Sequence, residues 1–250
     1  MTNTTILCRV GKKTKIKNYV IKLFPNNFDL YIEPFLGSGA IFLNAKLENK
    51  KSILNDLDKS IIFGHNSIKS GVTLDEKTFT FSNDPKVQEQ FYKKKHSTTN
   101  DNFISSIIQG CGTFGGTGEG KIYRPITQAN FRNKIKNAKK QKEYYKNTRL
   151  FNIDYKKIIK KFDNKNSFFY LDPPYEKSDK LYKDGFVDLQ EMSNILKTLK
   201  GKFLLSINDS PNVRKIFKDF NIKSISVEGY SNENSALGAG IRKELLIKNY

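Results

Sequence analysis

Two short motifs carry the residues of this sequence best suited to chemistry. The first, Asp172-Pro173-Pro174-Tyr175, directly follows the apolar segment 167–171. Two prolines fix the backbone and remove two N–H donors, so the carbonyl oxygens beside them can face a ligand together with the Asp172 carboxylate. Tyr175 adds an aromatic face. Such a site suits a planar amino group that donates its hydrogens to a carboxylate and a carbonyl. A proline-stiffened exit from a strand is the structural alternative.

The second motif is the glycine turn Phe35–Gly39, with the sequence FLGSG, between a short apolar segment and a helix-like one. Glycine at such a turn lets a ligand approach the backbone closely. Asp56 follows the next apolar segment, about 20 residues further on, where a carboxylate can accept hydrogen bonds from ribose hydroxyls. A plain connection from strand to helix, with Asp56 as a helix cap, is the structural alternative.

The segments that must position these motifs alternate between strand-like and helix-like patterns. Strands are predicted over 30–33, 52–54, 150–153, 167–171 and 202–207, and a late hairpin at a sheet edge over 222–227 and 243–247. Helices are predicted over 15–24, 40–47, 59–68, 189–199 and 213–220, with the end of another over 158–162. This alternation predicts an α/β fold with a parallel sheet and right-handed crossovers.

The pattern changes between residues 71 and 147, where apolar residues become sparse and Lys, Asn, Ser, Thr and Gly dominate. Glycines crowd between 110 and 120, and 134–146 is a very basic, helix-like stretch. We therefore predict a core domain formed by residues 1–70 and 148–250. Residues 71–147 are predicted to be an insertion, partly helical, with an exposed loop.

Two phosphate-binding patterns in this insertion lack the residues that such motifs need on their C-terminal side. Residues 110–115 match G-x-G-x-x-G, but 116–120 are too rich in glycine to begin a stable helix that could meet a pyrophosphate. Residues 115–121 match G-x-x-x-x-G-K, but Ile122 stands where Ser or Thr must hold Mg²⁺. Dinucleotide binding and nucleotide hydrolysis are therefore not expected, and the segment is interpreted as an exposed, glycine-rich loop.

Charge is the strongest signal in the composition. The 250 residues include 44 Lys and Arg against 25 Asp and Glu, a net charge of +19. Such a basic surface favours a nucleic acid, because binding releases counterions from phosphates. Codon bias in an AT-rich genome is the alternative, since most of these cations are lysines. The predicted DNA-contacting residues are Arg124, Arg132, Lys134, Lys136, Lys139, Lys140 and Lys142.

The rest of the composition excludes several classes of protein. With 37% hydrophobic and 28% charged residues, the chain is neither disordered, collagenous nor a coiled coil. No apolar run reaches the roughly 18 residues of a membrane span, and the N-terminus lacks the apolar core of a signal peptide. Cys8, Cys111, His65 and His96 are too few for a disulfide framework and lack zinc spacing. We expect an intracellular protein with no metal and no membrane partner.

In this order the motifs resemble those of the Dam-type (α-class) DNA adenine-N6 methyltransferases, which use S-adenosylmethionine. The similar segments are Gly11–Lys13, Glu33–Ala40, Asn55-Asp56, Asp154-Tyr155, Asp172–Tyr175 and Gly240–Leu246, which together extend over nearly the whole chain. The sequence departs from the family in its N-terminal motif, where the second glycine and a nearby aromatic residue are replaced. The resemblance implies a Rossmann-like class I methyltransferase sheet, mostly parallel with a late antiparallel strand. The insertion would be a largely helical target-recognition region.

The resemblance also implies the roles of individual residues. The catalytic residues would be Asp172, Pro173, Pro174 and Tyr175. The residues in contact with the cofactor would be Lys13, Glu33, Pro34, Phe35, Gly37, Ser38, Gly39, Asp56, Asp154, Tyr155 and Asp172. The substrate would be an adenine flipped out of a short, palindromic site in double-stranded DNA. The product cofactor would be S-adenosylhomocysteine, and no metal would take part.

Several alternatives stay open at this point. Cytosine N4, adenine in RNA or a protein glutamine could accept the methyl group, although Asp172 favours adenine over the glutamine that enzymes with Asn-Pro-Pro-Tyr modify. A catalytically silent DNA-binding homologue is another alternative, which the intact Asp172 disfavours. The resemblance admits a cognate restriction endonuclease as a partner. The N-terminus without a signal peptide and the richness in Lys and Asn together predict the cytoplasm of an AT-rich microbe, or of a host cell if the source is viral.

Overall fold

The computed structural model describes residues 5–9, 13–47, 49–113, 121–174, 187–230 and 240–250. Within these residues, seven strands form one sheet in the order β3-β2-β1-β4-β5-β7-β6. The strands are β1 (Leu30–Glu33), β2 (Lys51–Asn55), β3 (Thr148–Phe151), β4 (Ser167–Leu171), β5 (Lys202–Asn208), β6 (Asn221–Tyr230) and β7 (Gly240–Lys248). The predicted strands are therefore confirmed, with β3 shifted two residues towards the N-terminus.

The order of the strands reverses between β1 and β4, which are parallel neighbours in the middle of the sheet. Strands β1 to β5 run parallel, and β7 runs antiparallel to both β5 and β6. Ligands of such sheets bind where the parallel strands end, at the point of reversal. We call this side of the sheet the carboxyl edge. The predicted mostly parallel sheet with a late antiparallel strand is confirmed, and both Phe35–Gly39 and Asp172–Pro174 lie at its carboxyl edge.

Helices cover both faces of the sheet. They are α1 (Lys17–Lys22), α2 (Lys59–Ser70), α3 (Pro85–Lys93), α4 (Thr99–Gly112), α5 (Gln128–Gln141), α6 (Tyr155–Phe162), α7 (Leu189–Lys197) and α8 (Pro211–Ile216). Helices α2 to α8 each begin at an Asp, Thr or Ser whose side chain accepts a backbone N–H of the first turn. None of the helices in the described part of the chain is long and apolar enough to cross a membrane.

Alternation along the strands divides the interior into two hydrophobic cores. In β4, Phe168 and Tyr170 enter the first core, whereas Phe169 and Leu171 enter the second. Buried residues of α1 to α5 belong to the first core, and those of α6, α7 and α8 to the second. The helices of the predicted insertion, residues 71–147, thus pack against one face of the sheet. The division of the chain into two domains stays a prediction.

One predicted helix is wrong. Residues 40–47 contain a single 3-10 turn, Phe42–Asn44, instead of an α-helix. The Asn44 side chain donates to the Ala40 carbonyl over 2.9 Å, and Lys46 takes a left-handed conformation with φ of 52°. Asparagine competes with the backbone for hydrogen bonds, and a left-handed residue ends a right-handed turn. The chain therefore leaves the glycine turn through a compact loop.

The two cysteines also depart from expectation, because Cys8 and Cys111 form a disulfide across 103 residues of sequence. The bond ties the N-terminal segment to α4. The contact beside it is close, since a Cβ added at Gly110 would lie 2.6 Å from the Cys8 carbonyl oxygen. Two cysteines do not suggest a framework by count. Their pairing here holds the described segment 5–9 against α4.

Candidate active site

Asp172 follows β4 directly and lies among buried charged groups. Lys13 Nζ is 2.6 Å from Asp172 Oδ1 and 3.4 Å from Glu244 Oε1. The side chains of Lys13 and Glu244 are 4% and 5% exposed, whereas that of Asp172 is 20% exposed. The ion pair with Lys13 is thus buried, while the Asp172 carboxylate keeps access to the carboxyl edge.

A second group of partners reaches Asp172 from β5. Ser206 Oγ donates to Asp172 Oδ1 over 3.4 Å, and the Tyr170 hydroxyl lies 2.7 Å from Ser206 Oγ. Because the serine proton is used on the carboxylate, Tyr170 donates to Ser206. Lys13 and Ser206 therefore meet the same carboxylate oxygen and fix the orientation of the side chain.

Burial raises the pKa of Asp172 to about 6, although the charge and hydrogen bond of Lys13 lower it. The nearby charge of Glu244 acts with burial, because it disfavours a second negative charge. Asp172 is consequently a carboxylate at neutral pH and becomes protonated as the pH falls through about 6. The ionised Asp172 side chain is therefore a strong hydrogen-bond acceptor at neutral pH, and its pKa is close enough to neutrality for it to accept a proton.

The two prolines follow Asp172 as the sequence requires, with Pro173 buried and Pro174 half-buried. Neither residue has an N–H group, so this segment adds acceptors to the carboxyl edge without adding donors. Tyr175 lies outside the described residues. Its stacking role stays a prediction.

The glycine turn occupies the neighbouring position after β1. Gly37 and Gly39 take left-handed conformations, with φ of 50° and 70°, which glycine adopts without steric cost. The Gly37 N–H donates to Asp56 Oδ2 over 2.7 Å. A Cβ added at Gly37 would meet no described atom within 4 Å. Ser38 between them is buried. The turn is therefore fixed by its hydrogen bond to Asp56, and the space beside Gly37 where a side chain would lie is free of described atoms.

Asp56 has a structural task that the sequence did not indicate. Its Oδ2 accepts the N–H of Gly37, and its Oδ1 accepts the N–H of Asp58 over 2.9 Å. It thereby ties the turn after β1 to the turn after β2. The side chain is half-buried. Its predicted contact with a ribose stays a prediction.

Glu33, the last residue of β1, is 2% exposed and accepts a hydrogen bond from the Tyr31 hydroxyl at 2.7 Å. Burial raises the pKa of Glu33 well above its ordinary value, and the charges of Asp172 and Asp56 act in the same direction. Glu33 is followed by the buried Pro34. A cation bound near this edge would favour the ionised form of Glu33.

An aromatic pair lies beside the glycine turn. The rings of Phe35 and Tyr155 have centroids 5.2 Å apart, and Phe35 is half-buried. The Tyr155 hydroxyl is buried and has no hydrogen-bond partner among the described residues. Asp154 caps α6, since its Oδ1 accepts the N–H of Lys156 over 2.7 Å. The predicted cofactor contacts of Asp154 and Tyr155 stay predictions, although both residues lie next to the turn.

The model of the D12 class N6 adenine-specific DNA methyltransferases matches residues 10–228 of this chain. The chain belongs to this family. The match extends over both turns of the carboxyl edge and over the predicted insertion. The protein is therefore an enzyme, an adenine-specific DNA methyltransferase.

Named relatives agree with this methyltransferase assignment. A Type II methyltransferase of Methanocaldococcus jannaschii is 26% identical over 96% of both chains. A Type II methyltransferase of Lactococcus lactis subsp. cremoris is 24% identical over 96% of this chain and 93% of its own. A DNA adenine methylase of Haemophilus influenzae is 33% identical over a stretch that covers 39% of this chain and 35% of that protein.

Three residues of the methyltransferase site were not singled out from the sequence. Tyr170, Ser206 and Glu244 are 0%, 0% and 4% exposed. Tyr170 and Ser206 lie within the apolar strands β4 and β5, and Glu244 follows two basic residues in β7. Buried polar groups need partners, so a polar residue within an apolar strand is a signal. The partners themselves lie far apart in the sequence.

The cations predicted to contact DNA do not form one surface of the methyltransferase. Lys134 donates to the Ile6 carbonyl and lies 3.8 Å from Cys8 Sγ. Lys139 forms an ion pair with Glu76 at 2.7 Å. Lys134 therefore holds the N-terminal segment against α5, and Lys139 holds the loop that precedes α3.

The remaining predicted cations differ in exposure. Arg132 Nε donates to the Phe79 carbonyl over 3.2 Å, which turns it towards the protein. Lys136 and Lys140 are exposed, on the side of α5 away from its buried residues. Arg124 and Lys142 are exposed as well. The role of all these residues in DNA binding stays a prediction, and Lys136 and Lys140 have the most favourable position for it.

Proposed function

We propose that this enzyme transfers the methyl group of S-adenosylmethionine to N6 of an adenine in double-stranded DNA, with Asp172 as the catalytic residue. The turn Phe35–Gly39 would bind the cofactor. The observation that carries the proposal is the placement of both turns side by side, after the parallel neighbours β1 and β4. Ligands of open α/β sheets bind at this position.

The residues at the carboxyl edge fit the cofactor. When bound, S-adenosylmethionine supplies a methyl group on a positively charged sulfonium. The carboxyl groups of Glu33, Asp56 and Asp172 meet at this edge, and a bound cation would favour the ionised form of Glu33. The open side of Gly37 admits a ligand to the backbone. The ring of Phe35 offers a flat surface next to it.

Asp172 can activate the acceptor directly. The lone pair of adenine N6 is delocalised into the ring, which makes N6 a poor nucleophile. Hydrogen bonds from N6 to the Asp172 carboxylate and the Pro173 carbonyl would localise that lone pair. The negative charge of Asp172 would then stabilise the positive charge that N6 acquires. With its pKa raised to about 6, Asp172 is also suited to take up the proton that N6 releases.

Lys13 acts through Asp172 in this proposal. Its ammonium contacts Asp172 and Glu244 at 2.6 and 3.4 Å, so it is a positioning residue that keeps Asp172 ionised. The contact of Lys13 with the cofactor stays a prediction from the sequence.

The adenine must leave its stack to reach this edge. Enzymes that modify a base inside a duplex flip the nucleotide out, and Tyr175 would stack on the extruded base. The exposed lysines of α5, Lys136 and Lys140, would contact the phosphates of the DNA. A partner endonuclease and a cytoplasmic location stay predictions.

Labelled methyl transfer tests the proposal. The protein is incubated with S-adenosylmethionine labelled in its methyl group and with unmethylated double-stranded DNA, and the DNA is then digested to nucleosides. We expect the label in N6-methyladenine. Label in N4-methylcytosine would overturn the assigned base. Absence of label from DNA, with cofactor binding intact in calorimetry, would overturn DNA as the acceptor.

A further inference from the structure

Both backbone polar groups of Gly37, its N–H and its carbonyl oxygen, contact side chains. Its N–H donates to Asp56 Oδ2 over 2.7 Å, and its carbonyl oxygen lies 2.9 Å from His65 Nε2. His65 lies on α2 and is 1% exposed. Its ring also packs against the turn, because a Cβ added at Gly39 would come 3.0 Å from His65 Cε1. A histidine that the sequence suggested only as an unlikely zinc ligand therefore supports the glycine turn.

The partners of His65 fix its tautomer. A carbonyl oxygen can only accept, so Nε2 carries the proton and donates to Gly37. The other nitrogen, Nδ1, is then an acceptor, and the Tyr145 hydroxyl donates to it over 2.7 Å. Burial lowers the pKa of His65 to about 4, so the ring stays neutral at neutral pH. The chain of donors therefore runs in one direction, from Tyr145 through His65 to Gly37.

Tyr145 begins this chain of hydrogen bonds from the turn that follows α5. It is fully buried and ends the 3-10 turn Lys142–Tyr145, which continues directly from α5. Its ring packs on Phe42, with centroids 5.2 Å apart, just beyond the glycine turn. Helix α5 belongs to the predicted insertion and carries exposed lysines. Two buried side chains thus join the end of this basic helix to the turn assigned to the cofactor.

We propose that Tyr145 and His65 are positioning residues for methyl transfer, which hold the Gly37 peptide in the orientation that binds the cofactor. The inference rests on the proposed function, because it takes the glycine turn as the cofactor site. Neither residue faces the open side of the turn, so neither is a catalytic residue. Their loss should weaken cofactor binding and leave the chemistry at Asp172 unchanged.

The test compares Tyr145→Phe, His65→Phe and His65→Gln with the wild-type protein. Calorimetry gives the Kd for S-adenosylmethionine, and steady-state kinetics give kcat and the KM for the cofactor. Tyr145→Phe leaves His65 Nδ1 without its donor, and we expect Kd and KM to rise about tenfold with kcat unchanged at saturating cofactor. His65→Phe should show a larger rise. His65→Gln should recover part of it, because its amide can still donate to Gly37.

Tyr250→Phe is a matched control, because the Tyr250 hydroxyl donates to the Leu23 carbonyl. Tyr250 follows β7, whose Lys248 pairs with Leu204 near the start of β5, so it lies at the end of the sheet opposite to the site. The control should lower the melting temperature without changing the cofactor Kd. All variants are compared at a temperature where circular dichroism shows them folded.

The outcomes separate this inference from the proposed function. A wild-type protein that binds no S-adenosylmethionine would overturn the proposed function. A wild-type protein that binds it, with Tyr145→Phe and His65→Phe folded and binding equally well, would overturn the positioning role alone. An equal loss of affinity in Tyr250→Phe would also overturn that role, because it would show a general effect of lost stability.

Discussion

The two turns at the carboxyl edge are held by different kinds of interaction. The turn after β1 is fixed by backbone hydrogen bonds, with the Gly37 peptide between Asp56 and His65. The turn after β4 is fixed by charge, with Asp172 against buried Lys13. The first arrangement defines a shape. The second maintains a carboxylate whose pKa is raised to about 6. Under the proposed function, we expect cofactor binding to depend on the first turn and the chemistry to depend on the second.

Asp172→Asn should separate the two turns most strongly. The amide keeps the size of the side chain but loses the charge and one acceptor, so kcat should fall by about a thousandfold or more. The Kd for the cofactor should stay within a few-fold of the wild type, because the glycine turn is untouched. Single-turnover methylation and calorimetry measure the two quantities. Normal turnover in this variant would remove Asp172 from the mechanism.

Glu33→Gln tests whether ionisation of the buried Glu33 carboxyl group, at the end of β1, destabilises the folded protein. The pKa of Glu33 is raised above its ordinary 4.5, so its contribution to stability is present below pH 4.5 and is lost as the pH rises through its folded pKa. The variant should therefore gain stability relative to the wild type as the pH rises from 4.5 through the folded pKa of Glu33. Chemical denaturation at several pH values measures this. A constant difference between the two proteins would contradict the expectation.

Lys13→Met tests the charge that holds the second turn. In the wild type, kcat should fall tenfold per unit as the pH drops below about 6, because Asp172 becomes protonated. Without the Lys13 ammonium the pKa of Asp172 rises, so this decline should begin at higher pH and reduce kcat at pH 7 by about tenfold. Profiles of kcat against pH measure the shift.

Lys17→Met is the control for that variant. Lys17 is also buried, 8% exposed, but its ammonium donates to Asn44 at 3.4 Å instead of Asp172. Its pH profile should coincide with that of the wild type. If both variants shift the profile equally, the effect belongs to lost stability and not to the Asp172 ion pair.

The smallest effects are expected outside both turns. Lys136→Ala and Lys140→Ala should each reduce the slope of log affinity for DNA against log salt by about one. Lys134→Ala should leave the slope unchanged, since its ammonium is bound to the Ile6 carbonyl. Equilibrium binding to one duplex at several salt concentrations distinguishes them. A slope that none of the three variants changes would move the phosphate contacts away from α5.

The strands that position the site, and the motifs that follow them, were predicted well from the sequence, because each depends on a short local pattern. The strands β1 and β4 are short apolar runs, and each is followed at once by its motif, Phe35–Gly39 or Asp172-Pro173. Parallel strands all end at one edge of the sheet, so the local pattern was enough to predict both motifs at that edge. The pairing of β1 with β4, which brings Asp172 next to the glycine turn, was not predicted from the sequence.

The residues that contact Asp172 and His65 could not be predicted from the sequence, because these contacts join distant segments of the chain. Lys13 and Glu244 are separated by nearly the whole chain, yet their charged groups lie 3.4 Å apart. Tyr145 meets His65 only after α5 has packed on the sheet. The helix predicted over 40–47 failed for the opposite reason, since local hydrogen bonding by Asn44 overrode an apolar pattern.

One measurement tests the division of labour between the two turns most directly. Cofactor Kd and the single-turnover rate at saturating cofactor are determined for Gly37→Ala and Asp172→Asn. The alanine is strained at φ of 50° and its Cβ enters the open side of the turn. We predict that Gly37→Ala loses affinity and keeps its rate, whereas Asp172→Asn keeps affinity and loses its rate. Parallel losses of both quantities in both variants would contradict the account.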